Sequence, residues 1–461
     1  MVIQRDQYVS ELLSKRWNGK VKIITGIRRC GKSFLLSTLY KEHLLKEGVE
    51  KECFVELALD KKVHMKYRNP NELYNYVLRK TQDAGKRYYV FIDEIQLSYK
   101  VKNEDVDENM VPEEDRDMLY TTFYDILNDL MGRSNLDIYV TGSNSKMLSK
   151  DIVTNFRDRG TEIKVYPLSF SEFYPISGME KADALEEYLS FGGMPLAVLE
   201  EDETEKRKYL KGLHKRVYIK DIVERYKLKD DEILEALIDA LSSAVGSLTN
   251  PHNLANAASS LMKRNTSDHT IKNYLDYLED AYLFVGAKRY DIKGKRYFEN
   301  TQKYYSMDIG LRNAKLNGRS SESRHARMFG RVVTDEGGAS FRQQEKSHLM
   351  ENMIFVELIR RGYSVDVGVV ELTIVKDGKK QQSQYEIDFI VNTGREKVYI
   401  QSALNVDTET KKSQETFSLK NSGDFFRKIV IVDGNAKPWT DEDGIIYVGV
   451  IPFLLGSVAI L

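Results

Sequence analysis

An apolar strand that runs directly into Gly26-Ile27-Arg28-Arg29-Cys30-Gly31-Lys32-Ser33, and out again into an apolar helix, leaves few folds open to this chain. The spacing G-x-x-x-x-G-K-[ST] in a strand–loop–helix setting is that of a phosphate-binding loop. Gly26 and Gly31 let the backbone curl so that its N–H groups point inward, forming a nest for phosphate oxygens. The helix that starts near Lys32 adds the positive end of its dipole. Lys32 supplies a point charge for the β- and γ-phosphates, and the Ser33 hydroxyl is suited to Mg²⁺. Residues Gly26 to Ser33, with Phe34 behind them, are therefore expected to cradle a nucleoside triphosphate.

The flanking segments predict the sheet that carries this loop. Residues 21–25, 51–59, 88–94 and 138–144 are largely apolar runs, the last two ending in polar residues, separated by helical patterns, as expected for a parallel sheet covered on both faces. The run Tyr88-Tyr89-Val90-Phe91-Ile92 ends in Asp93-Glu94. Asp93 is expected to join Ser33 in the Mg²⁺ shell, and Glu94 to orient and polarise the attacking water. Two adjacent carboxylates favour ATP hydrolysis coupled to mechanical work over a kinase or a GTPase. The next strand ends in the polar tip Thr141, Ser143 and Asn144. Asn144 or Ser143 is positioned to bond the γ-phosphate or the water, unless the tip merely caps the helix at 145. Arg157 and Arg159 precede a strand at 162–166, the slot that holds the arginine finger in ring ATPases of the AAA+ type. A guanidinium there neutralises charge on a neighbouring subunit's phosphate, although arginine before a strand is also ordinary surface chemistry.

A length of 461 residues suggests about three domains. A net charge of −1 confines any nucleic-acid surface to local patches. Two cysteines, Cys30 and Cys53, make neither a disulfide framework nor a zinc spacing and fit a reducing cytosol. The N-terminus lacks a signal-peptide pattern. Residues 445–461 carry no charge, but Pro452 and Gly456 interrupt them, so a buried strand over 445–451 and a short helix are expected rather than a membrane span. The expectation is a cytoplasmic protein that does not enter a membrane.

Beyond the sheet, residues 169–245 read as mostly helical. A helix near 251–262, an N-cap region at Ser267-Asp268-His269-Thr270, a helix over 269–281 and a hairpin turning at Lys293-Gly294 predict a winged helix over 246–314. Its wing carries Lys288, Arg289, Lys293, Lys295 and Arg296 among Tyr290 and Tyr297, a combination suited to DNA phosphates and stacking. Asp276, Glu279 and Asp280 on the preceding helix weaken base reading and leave backbone contact as the expected mode. Residues 315–346 read as a linker rich in serine, glycine and arginine. Residues 347–461 read as a separate α/β domain opening with a helix over 347–362.

The motifs Gly-Ile-Arg-Arg-Cys-Gly-Lys-Ser, Phe-Ile-Asp-Glu-Ile-Gln, Val-Thr-Gly-Ser-Asn-Ser and Phe-Gly-Gly-Met-Pro, in this order, resemble those of bacterial and archaeal AAA-family ATP-binding proteins with an uncharacterised C-terminal domain. Tyr304 to Arg312, Glu351-Asn352 and Glu386 to Phe389 continue the resemblance. It implies an AAA+ P-loop core (1–168), a helical lid (169–245), a winged helix, and a C-terminal domain similar to the PD-(D/E)XK nucleases. In that scheme Glu351 or Glu357 is the helical acid and Asp388 the central metal ligand. Gln401 and Ala403 stand where the scheme has Glu and Lys, so nuclease chemistry is not expected. Two readings follow: an ATP-driven homo-oligomeric ring acting on DNA, branched or recombining DNA included, or a nucleotide-controlled regulatory or defence switch with protein partners.

Overall fold

A computed structural model describes residues 2–104, 106–142, 159–228, 231–262, 266–317, 339–376, 379–394 and 396–458. The chain divides into two compact units, Met1–Tyr166 and Pro167–Leu461.

The first unit is built on a parallel sheet of β1 (Val21–Thr25), β2 (Phe54–Ala58), β3 (Tyr88–Asp93), β6 (Leu136–Thr141) and β7 (Gly160–Lys164), ordered β2-β3-β6-β1-β7. A short antiparallel pair, β4 (Val101–Lys102) with β5 (Tyr120–Thr121), stands apart from it. The register Ile23↔Val140 and Ile92↔Val140 places β6 between the phosphate-loop strand and the strand of paired carboxylates. All three strands therefore end at the same edge of the sheet. One face is covered by the helices Pro70–Lys80 and Phe123–Leu130, with Val77 and Leu127 packed on Val55, Val90 and Ile138. Asn69 caps the first of these helices and a Thr122–Asp125 capping box starts the second.

The sheet's other face is aromatic and holds a buried polar lock. Lys22 pairs with Asp137, both almost fully buried. The Tyr139 hydroxyl donates to Asp137 at 2.7 Å, and the Tyr40 and Tyr139 hydroxyls lie 2.7 Å apart. Burial lowers the Lys22 pKa while Asp137 opposes that shift. Tyr40 belongs to the helical run leaving the phosphate loop, so the lock ties that helix to β1 and β6 and fixes the loop's exit direction.

In the second unit a layer of helices adjoins a nine-stranded mixed sheet. Its strands are β8 (Leu248–Thr249), β9 (Phe284–Asp291), β10 (Arg296–Ser306), β11 (Ser364–Lys376), β12 (Lys379–Asn392), β13 (Lys397–Ala403), β14 (Arg427–Val432), β15 (Trp439–Thr440) and β16 (Ile446–Gly449). The order is β15-β16-β14-β13-β12-β11-β9-β10-β8. The hairpin β9–β10 follows the helices Pro251–Met262 and Asp268–Asp280. It does not stand alone, because β9 pairs in parallel with β11 at Arg289↔Val367 and Asp291↔Val369. Segments 246–314 and 347–461 thus contribute to one sheet, and Tyr305 of the hairpin stacks on Phe355 at 4.1 Å. The helix expected over 347–362 runs instead from Ala339 to Arg360. The strand expected over 445–451 is shorter, β16 ending at Gly449, and the expected short helix follows it as Val450–Leu454; no described helix is long and apolar enough to cross a membrane.

Two of the ordered motifs meet inside this unit. The Gly193 N–H donates to Asp308 Oδ2 at 2.8 Å and the Leu311 N–H donates to Oδ1 at 2.9 Å. A Cβ at position 193 would lie 2.0 Å from the Leu168 carbonyl oxygen, so only glycine permits this approach. Asp308 is buried and its pKa is pushed up to about 6, against the pull of the backbone N–H groups. The Phe-Gly-Gly-Met-Pro and Met-Asp-Ile-Gly segments therefore form an internal latch.

Candidate functional site: a phosphate loop and its carboxylates

The loop after β1 has the geometry its sequence predicts. Gly26, Arg29 and Gly31 have φ of 134°, 68° and 97°, which turns the intervening N–H groups inward. A Cβ on Gly26 would stand 2.0 Å from the Val165 carbonyl oxygen, so the loop is pressed against the end of β7. Ile27 and Cys30 are buried, and the Cys30 thiol points at the Val165 oxygen at 3.4 Å. Their contribution to an anion is consequently restricted to backbone. Arg28, Arg29 and Phe34 are exposed.

The helix begins at Lys32. The Lys32 ammonium lies inside the loop and donates to the Gly26 and Ile27 carbonyls at 2.9 and 3.0 Å. The Ser33 hydroxyl donates to Asp93 Oδ1 at 2.8 Å, and the Thr141 hydroxyl donates to the same oxygen. A hydroxyl and a carboxylate oxygen 2.8 Å apart match neighbouring corners of an Mg²⁺ octahedron, which are about 3 Å apart for bonds of about 2.1 Å. The donor set present therefore fits Mg²⁺, with Ser33 and Asp93 as the holding residues.

Glu94 leaves the strand in a left-handed conformation, φ 54° and ψ 49°. Such a residue costs about 1 kcal/mol and persists only where its surroundings enforce it. Here its N–H donates to Thr141 Oγ1 at 3.1 Å, while its carboxylate accepts from the Gln96 amide. Burial raises the Glu94 pKa, with Asp93 adding to the rise and Lys32, Gln96 and Arg28 opposing it. A carboxylate with a raised pKa is charged, and able to take up a proton, only above that value. Turnover is accordingly expected to fall on acidification at a higher pH than an ordinary glutamate would give, and Glu94→Gln to remove that acidic limb from the pH–rate profile.

Two supports of the loop escaped the sequence reading. The buried Arg5 guanidinium donates to the Cys30 carbonyl at 3.1 Å and to the Tyr166 carbonyl at 2.9 Å. The Tyr8 hydroxyl accepts from the Tyr166 N–H at 3.1 Å. The helix Asp6–Ser14 thus braces the loop from behind, with Tyr8 and Leu12 as its buried residues. Thr141, in the expected polar tip, bridges Asp93 and Glu94. Ser143, Asn144 and Arg157 lie outside the described residues. Arg159 is exposed, and its carbonyl accepts from Val21 N, so it stands at the start of β1, one strand length (about 16 Å) from the loop at the other end. It does not serve its own loop.

The hairpin's basic residues separate into different environments. Lys288, Lys293, Lys295 and Arg296 are exposed, with Arg296 Nε 3.5 Å from Asp291. Arg289 is 8% exposed and bonds Thr301 and Gln384. In the C-terminal segment, Glu351 and Asp388 are brought together, whereas Glu357 is held by Arg360 and Arg361 at 2.7 Å each. The two acids lie on different sides of one helix, six positions apart. The centre between Glu351, Glu386 and Asp388 is filled by the Lys303 ammonium of β10, at 2.8, 2.5 and 3.9 Å. Tyr305 donates to Glu351 at 2.7 Å and the Ser402 N–H donates to Asp388 at 2.8 Å. Gln401 accepts from the Asp388 N–H at 3.4 Å, and Ala403 is buried in the apolar core. Among the described residues no group of His, Cys, Asp and Glu is arranged to hold a metal ion by itself.

Residues 18–174 match an AAA domain. Residues 182–322 and 346–453 match two domains of unknown function, DUF8612 and DUF4143. An uncharacterized protein of Haemophilus influenzae is 33% identical over 459 residues, covering 98% of this chain and 99% of its own. The chain belongs to this family of AAA-domain proteins. The uncharacterized protein MJ1544 of Methanocaldococcus jannaschii is 30% identical over 86% of this chain and 77% of its own length. For this AAA-domain protein, membership brings a P-loop ATPase-type domain with general use of nucleotide and Mg²⁺. Solved structures matched include the Aeropyrum pernix ORC1 protein in complex with DNA (10% identity, 69% of this chain and 93% of that one, TM-score 0.27) and C. elegans PCH-2 (14% identity, 60% and 66%, TM-score 0.25).

Proposed function

We propose that this chain hydrolyses ATP with Mg²⁺ as a homo-oligomeric AAA+ motor or remodeller acting on DNA. The reading is carried by one constellation: Lys32, Ser33, Asp93, Thr141 and Glu94 converge at the ends of three adjacent strands. Lys32 exchanges its loop carbonyls for phosphate oxygens. Ser33 and Asp93 hold Mg²⁺, which offsets the charge of the phosphates. Glu94, fixed through Thr141 and Gln96, accepts the proton of the attacking water. Arg159 or Arg157 acts on the phosphate of a neighbouring subunit, and Asn144 or Ser143 senses it.

Residues 169–245 then serve as the lid and 246–314 as a winged helix that meets DNA through Lys288, Lys293, Lys295 and Arg296. The C-terminal domain keeps a nuclease-like layout without nuclease chemistry, its centre occupied by the Lys303 ammonium in the place of a divalent cation. One observation favours the second reading, a nucleotide-dependent switch with protein partners: Arg289 is buried, which removes a cation from the DNA-facing set.

ATP turnover and assembly state, measured with duplex, single-stranded and four-way-junction DNA and without DNA, separate the two. The motor reading expects oligomers with ATP and a rate that rises with at least one DNA form. A monomer with ATP whose rate ignores every DNA form would overturn it in favour of the switch.

A further inference from the structure

Beside the hairpin lies a recess of about 470 Å³ between β10 and the helix Asp268–Asp280. That volume falls within the range of small-ligand sites. It exists because the ladder between β9 and β10 is broken. Pairing runs Arg296↔Asp291 and Tyr297↔Tyr290, then resumes at Gln302↔Lys288. Residues 298–301 therefore bulge against Arg289 alone.

The bulge is propped from within. The Arg289 guanidinium stands 4.9 Å from the Phe298 ring centre, donates to Thr301 Oγ1 at 3.4 Å, and is tied to β12 through Gln384 at 3.3 Å. Its Nε is buried without a hydrogen-bond partner among the described residues. Burying a cation with an unused donor is costly, so the bulge is a maintained feature and not slack chain.

The lining has two characters. Leu275 and Tyr304 form a buried floor, and Phe298 and Tyr297 form a wall. Tyr297 is 52% exposed yet pinned, because its hydroxyl donates to Asp366 at 2.9 Å and its ring meets Tyr290 edge-on at 5.1 Å. A half-exposed ring with a fixed orientation is a stacking platform that loses little entropy when used. Lys272 and Lys288 stand at the mouth, and neither has an ion-pair partner among the described residues. Asp276 and Glu299 also line the recess. Their carboxylates disfavour a phosphate in the interior and offer acceptors suited to the amino groups of a base.

We propose that this recess takes an unstacked base of a nucleic-acid strand, stacked on Tyr297, while Lys272 and Lys288 neutralise the flanking phosphates. The proposal rests on the DNA reading above and narrows it to strands that offer an unpaired base. The chemistry is that of an aromatic base bearing a phosphate, so a free nucleotide is the competing source.

The test is fluorescence anisotropy of the full chain with a labelled duplex, the same duplex carrying one unpaired base, and a single strand. Each is titrated with and without millimolar deoxynucleoside monophosphate. The unpaired-base and single-strand probes are expected to bind more tightly than the duplex. Tyr297→Ala is expected to remove that preference, a loss of roughly five- to a hundredfold on those probes only, with Tyr297→Trp retaining it. Lys272→Ala and Lys288→Ala are expected to weaken all probes and each to lower the salt slope by about one. Equal affinity for all three probes, or a preference untouched by Tyr297→Ala, would overturn the recess while leaving DNA binding standing. Binding of no DNA form would sink both. Tyr297-dependent binding of the free nucleotide without any strand would overturn the strand as ligand.

Discussion

Glu94→Gln is expected to bind ATP as the native chain does and to turn it over at least about a hundredfold more slowly. The substitution is nearly isosteric, so the left-handed backbone at position 94 and its N–H bond to Thr141 are retained. What disappears is the acceptor proposed for the water's proton. The neighbouring Lys32 and Arg28 currently favour the carboxylate form against its burial. With a neutral amide, that opposition vanishes and binding of the phosphate anion is spared. Lys32→Ala should behave differently. It removes the positive charge from the loop's interior and leaves the Gly26 and Ile27 carbonyls without the donor they now share, so nucleotide binding itself is lost. A titration with a fluorescent nucleotide separates these outcomes from phosphate release under single-turnover conditions. Turnover retained in Glu94→Gln would mean that another group orients the water.

The sequence revealed most where function depends on contiguous residues. The phosphate loop lies within a single turn of chain, and parallel strands buried on both faces leave uninterrupted apolar runs, so β1, β3 and β6 with their polar ends were legible. Arg5 was not, because its two carbonyl partners lie at Cys30 and Tyr166, far away in sequence. The same limit explains the C-terminal centre. Reading β13 alone found Gln401 and Ala403 and no cation. The cation comes from Lys303 on the hairpin, which reaches the centre because β9 pairs with β11. That parallel pairing spans the segment expected as a linker and leaves no local periodicity. Arg289 illustrates the converse: its place in a basic wing suggested a phosphate contact, yet β11 and the bulge enclose it.

Lys303→Met is expected to destabilise the second unit by about 3–5 kcal/mol near neutral pH, the cost of removing one partner from a buried ionic cluster. Three carboxylates surround the ammonium, and one positive charge cannot neutralise them all. Burial, followed by the Glu351 charge, already raises the Asp388 pKa well above the carboxylate range, with Lys303 opposing. Lys303 itself stays charged, since Glu351, Asp388 and Glu386 together outweigh its burial. Removing it leaves like charges facing one another, and the native state relieves this by binding protons. Where a native carboxylate has a raised pKa, the folded chain holds more protons than the unfolded one between the two values. Its stability is therefore greatest below the ordinary carboxylate range and declines as pH climbs. The variant should accordingly be nearest to the native chain in acid and fall furthest behind it above neutrality. Adding Glu351→Gln should recover part of the loss, because it removes one of the stranded charges while its amide can still accept from Tyr305. Hydrogen exchange of the β10, β12 and β13 amides in the full chain, followed from pH 5 to pH 8 with back-correction for the intrinsic rate, reads the local effect directly. Native-like protection in Lys303→Met at every pH would show that the ammonium does not hold this centre together.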